Sequence, residues 1–559
     1  MDLQPSDNIL KSSSPSFEIP SISIAEYYVE QTKKFDSNQL AIIDHIHNEQ
    51  ITFNELHIRA QSFANGLLKK GIGKNDFVIF FADNHLEYIV SMLGVIYLGI
   101  PFSHVKSANG AYELAGQIID AKGTVLVLNK TKIPILLQMV DNSEYSQALN
   151  CLNHLVLIGN DQINDFGEKI NKTTLTYAEL VSAIENLPKI PYFPFNNMET
   201  EPFMIFYTSG TTGKPKGAIY SNRSYLSWLI NLKMKKDFRG KRTLISNPLG
   251  HVSGKCYSLL ALLDGLTVVL LDSSCSIDDM LKAVEKYQVN HLIFGANHAA
   301  DLANTDFEKI YNLKSLELMK YGSTKISGDL LIRIKNKYNV KMFEVYGSTE
   351  FWGHLEYKDW SQLDENFVPH SLGSVAPNVE MKIIDLETGK ALPPHQNGEV
   401  CFRGPNCFVG YLNNPSATKE TIDDEGWYHS GDIGYYDENG HLFVADRIKE
   451  LIKFRLWTVI PGEIELCIHQ NPSVMAVCVV GVPHITDGNH IRAYVQLKED
   501  AIVSEQELID YIKDNMGFQK RLRAGVCFVP EIVRNQIGKV DKQYYKQLVK
   551  GELLTEQVE

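Results

Sequence analysis

Short apolar runs rich in β-branched and aromatic residues recur along the chain, separated by stretches of helical periodicity. Residues 77–81 read as a strand and 87–98 as the helix that follows it. Residues 124–128, 155–158, 266–271 and 292–294 read as further buried strands. Strands that are apolar at every position and alternate with helices predict parallel sheets with helical crossovers. The longest apolar stretch, 88–102, is shorter than the ~20 residues a membrane span needs and predicts a buried helix. No fixed short repeat is present. Residues 1–20 are polar and read as a loosely ordered lead. Residues 186–200, rich in proline and asparagine, read as a connecting loop.

The pattern changes near residue 446, after a strand-like 441–445. Residues 474–482, 491–497 and 525–529 read as strands. Ser504 followed three residues on by Glu507 forms a capping box that opens a helix through Met516. This predicts a small α+β domain, 446–559, of roughly 110 residues behind a large domain, 21–445.

A chain of 559 residues with 44% hydrophobic content is too long for one core and calls for two or more domains. Its formal net charge is −13 and no basic stripe is evident, which argues against a nucleic-acid partner. The eight cysteines include no CxxC pair and several lie in apolar runs. They read as free thiols in a reducing compartment. The first residues lack the basic and apolar regions of a signal peptide. The end, Gln557-Val558-Glu559, is not a peroxisomal Ser-Lys-Leu signal, so a cytoplasmic location is expected, with a peroxisomal one left open.

The strongest local chemistry is Tyr207-Thr208-Ser209-Gly210-Thr211-Thr212-Gly213-Lys214-Pro215-Lys216-Gly217, after a strand at 204–207. Glycines allow close backbone approach, hydroxyls and N–H groups bind phosphate oxygens, and lysines add charge. The spacing is not GxxxxGK[ST], which disfavours a P-loop enzyme. The string resembles the signature loop of the adenylate-forming superfamily: acyl-CoA synthetases, 4-coumarate–CoA ligases, firefly-type luciferases and adenylation domains. Further matches follow in order from about residue 25 to 548, most like the luciferase and 4-coumarate–CoA ligase branch. The resemblance implies a large domain of layered α/β sheets with a barrel-like β portion, and a small mobile α+β domain hinged at 446–449.

It also implies roles. Thr208, Ser209, Gly210, Thr211, Thr212, Gly213 and Lys216 would hold ATP phosphates. Tyr321-Gly322-Ser323-Thr324 would line adenine through Gly322 and Ser323. In Tyr346-Gly347-Ser348-Thr349-Glu350, Tyr346 would stack on adenine, Thr349 contact the α-phosphate and Glu350 hold Mg²⁺. An aromatic face suits a purine, and a carboxylate suits a hard cation. Asp432, in His429-Ser430-Gly431-Asp432, and Arg447 would bind ribose. Lys539 would bridge the substrate carboxylate and the α-phosphate. Lys453 would serve the second half-reaction after the small domain turns. His251 would stand at the acyl pocket. Phe351, Trp352 and Gly353, followed by His354, would form a pocket wall, or the aromatics would point into the core. Leu456 stands where the family usually has glycine, near the path of the thiol, and Val533 replaces a proline.

The implied reaction is ATP-dependent activation of a carboxylic acid to an acyl-adenylate, then transfer to coenzyme A. The alternatives are a luciferase-like monooxygenase, an adenylating enzyme with another acceptor, and a binding protein with a degraded site. Trp228 stands near a position where luciferases carry arginine.

Overall fold

The computed structural model describes residues 8–159, 169–182, 195–208, 215–233, 238–322, 326–353, 355–356, 367–455, 457–535 and 538–552. The expected parallel strands form two sheets. In the eight-stranded one, Thr173–Thr176, His154–Ile158, Val125–Asn129, Val78–Phe81, Phe102–His104 and Pro202–Tyr207 run parallel. Gly217–Ser221 and Gly410–Tyr411 complete it antiparallel. Every residue of Val78–Phe81 is buried, as a strand covered on both faces requires. In the seven-stranded sheet, Lys341–Val345, Leu318–Gly322, His291–Phe294, Arg242–Ile245, Thr267–Leu270 and Leu40–Asp44 are parallel. Glu49–Thr52 closes its edge as a hairpin.

The apolar stretch at 88–102 is indeed a buried helix, Leu86–Leu98. It stops at Gly99, whose φ of 72° is a left-handed conformation that glycine adopts without strain. One apolar cluster joins this helix, Phe53–Lys69 and Val252–Leu263 to both parallel sheets and to the antiparallel sheet beyond. No helix among the described residues is long and apolar enough to cross a membrane.

That third sheet has five antiparallel strands: Leu10–Lys11, Glu380–Ile384, Gly398–Arg403, Tyr428–Tyr436 and Leu442–Arg447. Its first strand corrects the expectation of a loose lead. Leu10 pairs with Met381 and is 3% exposed, and Lys11 makes an ion pair with Glu380. Asn378 closes on both the N–H and the carbonyl of Phe17. Polar residues there misled the sequence reading because the segment is an edge strand with one side in water. The strand expected to end at 445 continues to Arg447, which pairs with Asp432.

After the short helix Ile448–Glu450 come the strands of a separate sheet: Ile452–Phe454, Trp457–Val459, Val474–His484, Gly488–Leu497 and Val526–Phe528. Ser504 and Glu507 make the reciprocal capping box, and the helix is Glu505–Asn515. All eight cysteines are free; Cys256, Cys401 and Cys478 are buried and the rest partly so. Of the loop at 186–200, residues 195–200 are irregular and the others lie outside the described residues.

Candidate active site

Strands of both parallel sheets end at one place, and the carboxyl ends of parallel strands are where such sheets bind ligands. Pro202–Tyr207 leads into the phosphate-loop candidate and Gly217–Ser221 returns from it. The loop is tied at its base: the Thr208 N–H donates to the Lys216 carbonyl (2.9 Å), and the Lys216 N–H to Thr208 Oγ1 (3.2 Å). Ser209, Gly210, Thr211, Thr212 and Gly213 lie outside the described residues, as do Ser323, Thr324, His354 and Leu456. The Lys216 ammonium lies 4.5 Å from the centroid of the Tyr411 ring. The Tyr411 hydroxyl donates to Glu350 Oε1 at 2.6 Å. Tyr411 thus links the phosphate loop to the metal candidate. Sequence reading missed it, because residues 61 apart meet only where Gly410–Tyr411 joins the sheet edge.

In the other sheet, Leu318–Gly322 and Lys341–Val345 end side by side, Gly322 opposite Val345. A Cβ on Gly322 would lie 2.4 Å from the Val345 carbonyl oxygen, so only glycine fits. The turn after Val345 is held by Ser348, whose Oγ accepts from the N–H groups of Glu350 (3.2 Å) and Phe351 (3.1 Å). Thr349 is half-buried in it, and Gly347 lies beneath the Trp352 ring. The Tyr346 hydroxyl donates to Asp432 Oδ2 at 2.6 Å, and Arg447 Nε donates to Asp432 Oδ1 at 2.8 Å. Asp432 is 4% exposed; burial pushes its carboxyl up, opposed by the Arg447 charge. Tyr346 and Arg447, 101 residues apart in sequence, therefore meet on the one carboxylate of Asp432.

The charge of Lys539, near the far end of the chain, bears on the same carboxylate. Burial pulls its ammonium below the usual lysine value, and so does Arg447, while Asp432 opposes them. Its charge is also felt at His251. The turn that carries it is closed by Asn535, whose Oδ1 accepts from the Lys539 N–H (3.0 Å) and whose N–H donates to the Lys539 carbonyl (2.7 Å). Three residues on, Lys542 spans Asp446 (3.0 Å) and Glu465 (3.1 Å). Asp446 also accepts from the Gly462 N–H at 2.8 Å. These contacts fasten the Lys539 turn to the 446–449 segment.

Lys453 is not brought to this group. It is exposed and donates to Thr458 Oγ1 at 2.5 Å across its hairpin. Arg455, at the turn, has φ 52° and is held by Asp487 (2.8 and 3.3 Å).

His251 caps the helix Val252–Leu263. Its Nδ1 lies 2.8 Å from Ser253 Oγ and accepts from the Ser253 N–H at 3.3 Å, which leaves Nε2 as the protonated nitrogen. Burial lowers its pKa to about 3, assisted by Lys106, Lys255 and Lys539, so the ring is neutral near pH 7.

The pocket wall needs correction at Phe351. It is 1% exposed, stacked on Phe402 and Tyr428, and belongs to the core beneath the site. Trp352 is half-buried and meets the edge of Trp228 at 6.5 Å. Gly353 has the left-handed φ of 64°, and a Cβ there would lie 3.2 Å from Trp228.

The model of the AMP-binding enzyme family matches residues 29–412, and that of the AMP-binding enzyme C-terminal domain matches 463–539. "Probable CoA ligase CCL5" of Humulus lupulus is 30% identical over 90% of this chain and 89% of that protein. Luciferin 4-monooxygenase of Luciola mingrelica is 25% identical over 98% of this chain and 99% of its own. The ATP-bound structure of MatB from Rhodopseudomonas palustris shares the fold, with a TM-score of 0.79 and 24% identity over 95% of this chain and 99% of that one. With its two family domains matched in order along the mixed α/β fold, the chain belongs to the AMP-binding, adenylate-forming enzyme family.

Proposed function

We propose that this protein is an acid–thiol ligase: it activates a carboxylic acid with ATP to an acyl-adenylate and then transfers the acyl group to coenzyme A. The observation that carries the reading is the convergence of Lys539 on Asp432, Arg447 and His251, while Lys453 stays away. This arrangement suits the first half-reaction.

The Tyr346 ring would take the purine. Asp432, a buried acceptor already oriented by Tyr346 and Arg447, would take the ribose hydroxyls. Thr208, Lys216 and Thr349 surround the expected path of the phosphates. A substrate carboxylate oxygen attacks the α-phosphorus; the new O–P bond forms as the bond to the β-phosphate bridge breaks and pyrophosphate leaves. Negative charge grows between carboxylate and α-phosphate, where a placed ammonium on Lys539 stabilises the transition state more than the ground state. His251 is neutral and offers its Nε2–H as a hydrogen-bond donor on the acyl side.

Glu350 fits a magnesium ion: Tyr411 engages one carboxylate oxygen and leaves acceptor capacity on a hard-oxygen ligand. Such an ion supplies charge neutralisation to the phosphate oxygens. In the second half-reaction the small domain turns about 446–449, withdrawing Lys539 and presenting Lys453. The coenzyme A thiol, having lost its proton, attacks the acyl carbonyl and AMP leaves.

The test is pyrophosphate release over a panel of carboxylic acids with Mg-ATP, with and without coenzyme A. Acid-dependent release, with acyl-CoA and AMP formed when coenzyme A is added, is the expected outcome. Release without any acyl-CoA would retain adenylation and reject the thiol acceptor.

A further inference from the structure

Lys255 lies one turn beyond His251 on the helix Val252–Leu263, on the same face, and is 2% exposed. Its ammonium sits 4.5 Å from the centroid of the Phe206 ring, on the strand that leads into the phosphate loop. Among the described residues no carboxylate lies within ion-pair distance of it, and the charges that bear on it or that it bears on are Lys106 and two histidines, His104 and His251. The thiol of Cys256 opposes them, but burial pushes that thiol up to about 12, so it is neutral. Burial pulls Lys255 down to about 7, and Lys106 pulls the same way, so near neutral pH the amine is only partly charged and an arriving anion would hold it as the ammonium.

Lys320 supplies the contrast within the same core. It too is enclosed by aromatic rings, Tyr257 at 5.3 Å and Phe343 at 5.4 Å, but the Asp264 carboxylate offsets its charge. A buried ammonium without a counter-charge is costly unless an anion arrives to pair with it. The phosphate groups of ATP already have Lys216, Lys539 and the loop in the proposed function, and Lys255 lies one turn beyond His251, which that function puts on the acyl side.

We propose that Lys255 is a specificity-determining residue that pairs with a second carboxylate on the acid substrate, making this an enzyme for short dicarboxylic acids of which one end is activated. The proposal rests on the acid-activating function above and names its substrate class. One helical turn and a fraction, about 6 Å of rise, separates the His251 level from that of Lys255, which suits a spacer of about three methylenes. Glutarate has this form; valerate is the same length with an apolar end.

The experiment compares glutarate and valerate in pyrophosphate release by the full chain and by Lys255→Met, with ATP also varied. The native protein should prefer glutarate by ~10-fold or more in kcat/KM, because an apolar end leaves the ammonium unpaired. Lys255→Met should reverse the preference and leave the KM for ATP unchanged. Lys255→Gln, which keeps length without charge, should lose the glutarate preference as well. Below pH 7, where Lys255 carries its charge, the free Lys255→Met protein should melt higher than the native one, since an unpaired buried charge has gone; a structural lysine would give a lower melting temperature. Equal loss with both acids, or a raised KM for ATP, would overturn the proposal and assign Lys255 to the nucleotide phosphates. Pyrophosphate release from neither acid nor any other would overturn acid activation itself. Melting with glutarate then decides the anion site separately: a glutarate-induced rise in the native protein that is absent in Lys255→Met supports it, and no rise overturns it.

Discussion

The two ends of the candidate site differ in how their charges are matched. At the nucleotide end, Asp432 is buried between the Tyr346 hydroxyl and the Arg447 guanidinium, and Glu350 is engaged by Tyr411. At the acyl end, the charges of Lys106, Lys255 and Lys539 all bear on a neutral His251, and among the described residues no carboxylate offsets Lys255. The nucleotide end is organised before ligand arrives. The acyl end holds surplus positive charge that an anionic substrate would neutralise. Balanced groups give rigidity, and an unmatched group gives discrimination between substrates at some loss of stability.

Three substitutions, in order of expected size, and then a change of pH probe that difference. Phe351→Ala removes the ring stacked under the nucleotide turn and should destabilise the large domain by about 3–5 kcal/mol in denaturant unfolding. Its acid preference should not change, because the side chain is in the core; a broadened acid profile would restore it to the pocket. Asp432→Asn leaves Arg447 without its partner and should lower kcat/KM for ATP by ~10²-fold, while the ratio between two acids stays constant. Tyr346→Phe removes one hydrogen bond to Asp432 and should cost about 1 kcal/mol, read as a several-fold higher KM for ATP.

The change of pH acts on the acyl end. His251 is held at about 3 when folded, against an ordinary histidine value of 6.5. Between these values the unfolded chain binds the extra proton, so stability falls as pH drops from 6.5 toward 3 and is insensitive to this group above 6.5. In His251→Gln that fall should be shallower by up to about 1.4 kcal/mol per pH unit. Identical pH slopes for both proteins would show that His251 is not buried in its neutral form.

The fold was legible where one physical pattern dominates. Fully apolar runs such as the one around Phe80 mark strands covered on both faces, and Ser504 with Glu507 marks a helix start. Asp432 and Arg447 were legible as residue types, and the structure adds that they are cross-strand neighbours. Phe351 was not decidable, since an aromatic beside a motif serves a pocket wall or a core equally well until its neighbours are known. Leu10 was hidden because a two-residue edge strand has too few positions to show a period. Tyr411 and Lys542 left no local signal: their partners Glu350 and Asp446 lie 61 and 96 residues away. Lys255 left only a faint one, a single lysine in an otherwise apolar helical run.

The division of work between Lys539 and Lys453 is the claim on which the account turns. The most direct measurement follows Lys539→Ala through both half-reactions: pyrophosphate release from acid and Mg-ATP, and thioester formation from supplied acyl-adenylate and coenzyme A. The account predicts a loss of ~10²-fold or more in the first and near-native rates in the second. Equal losses in both would contradict it.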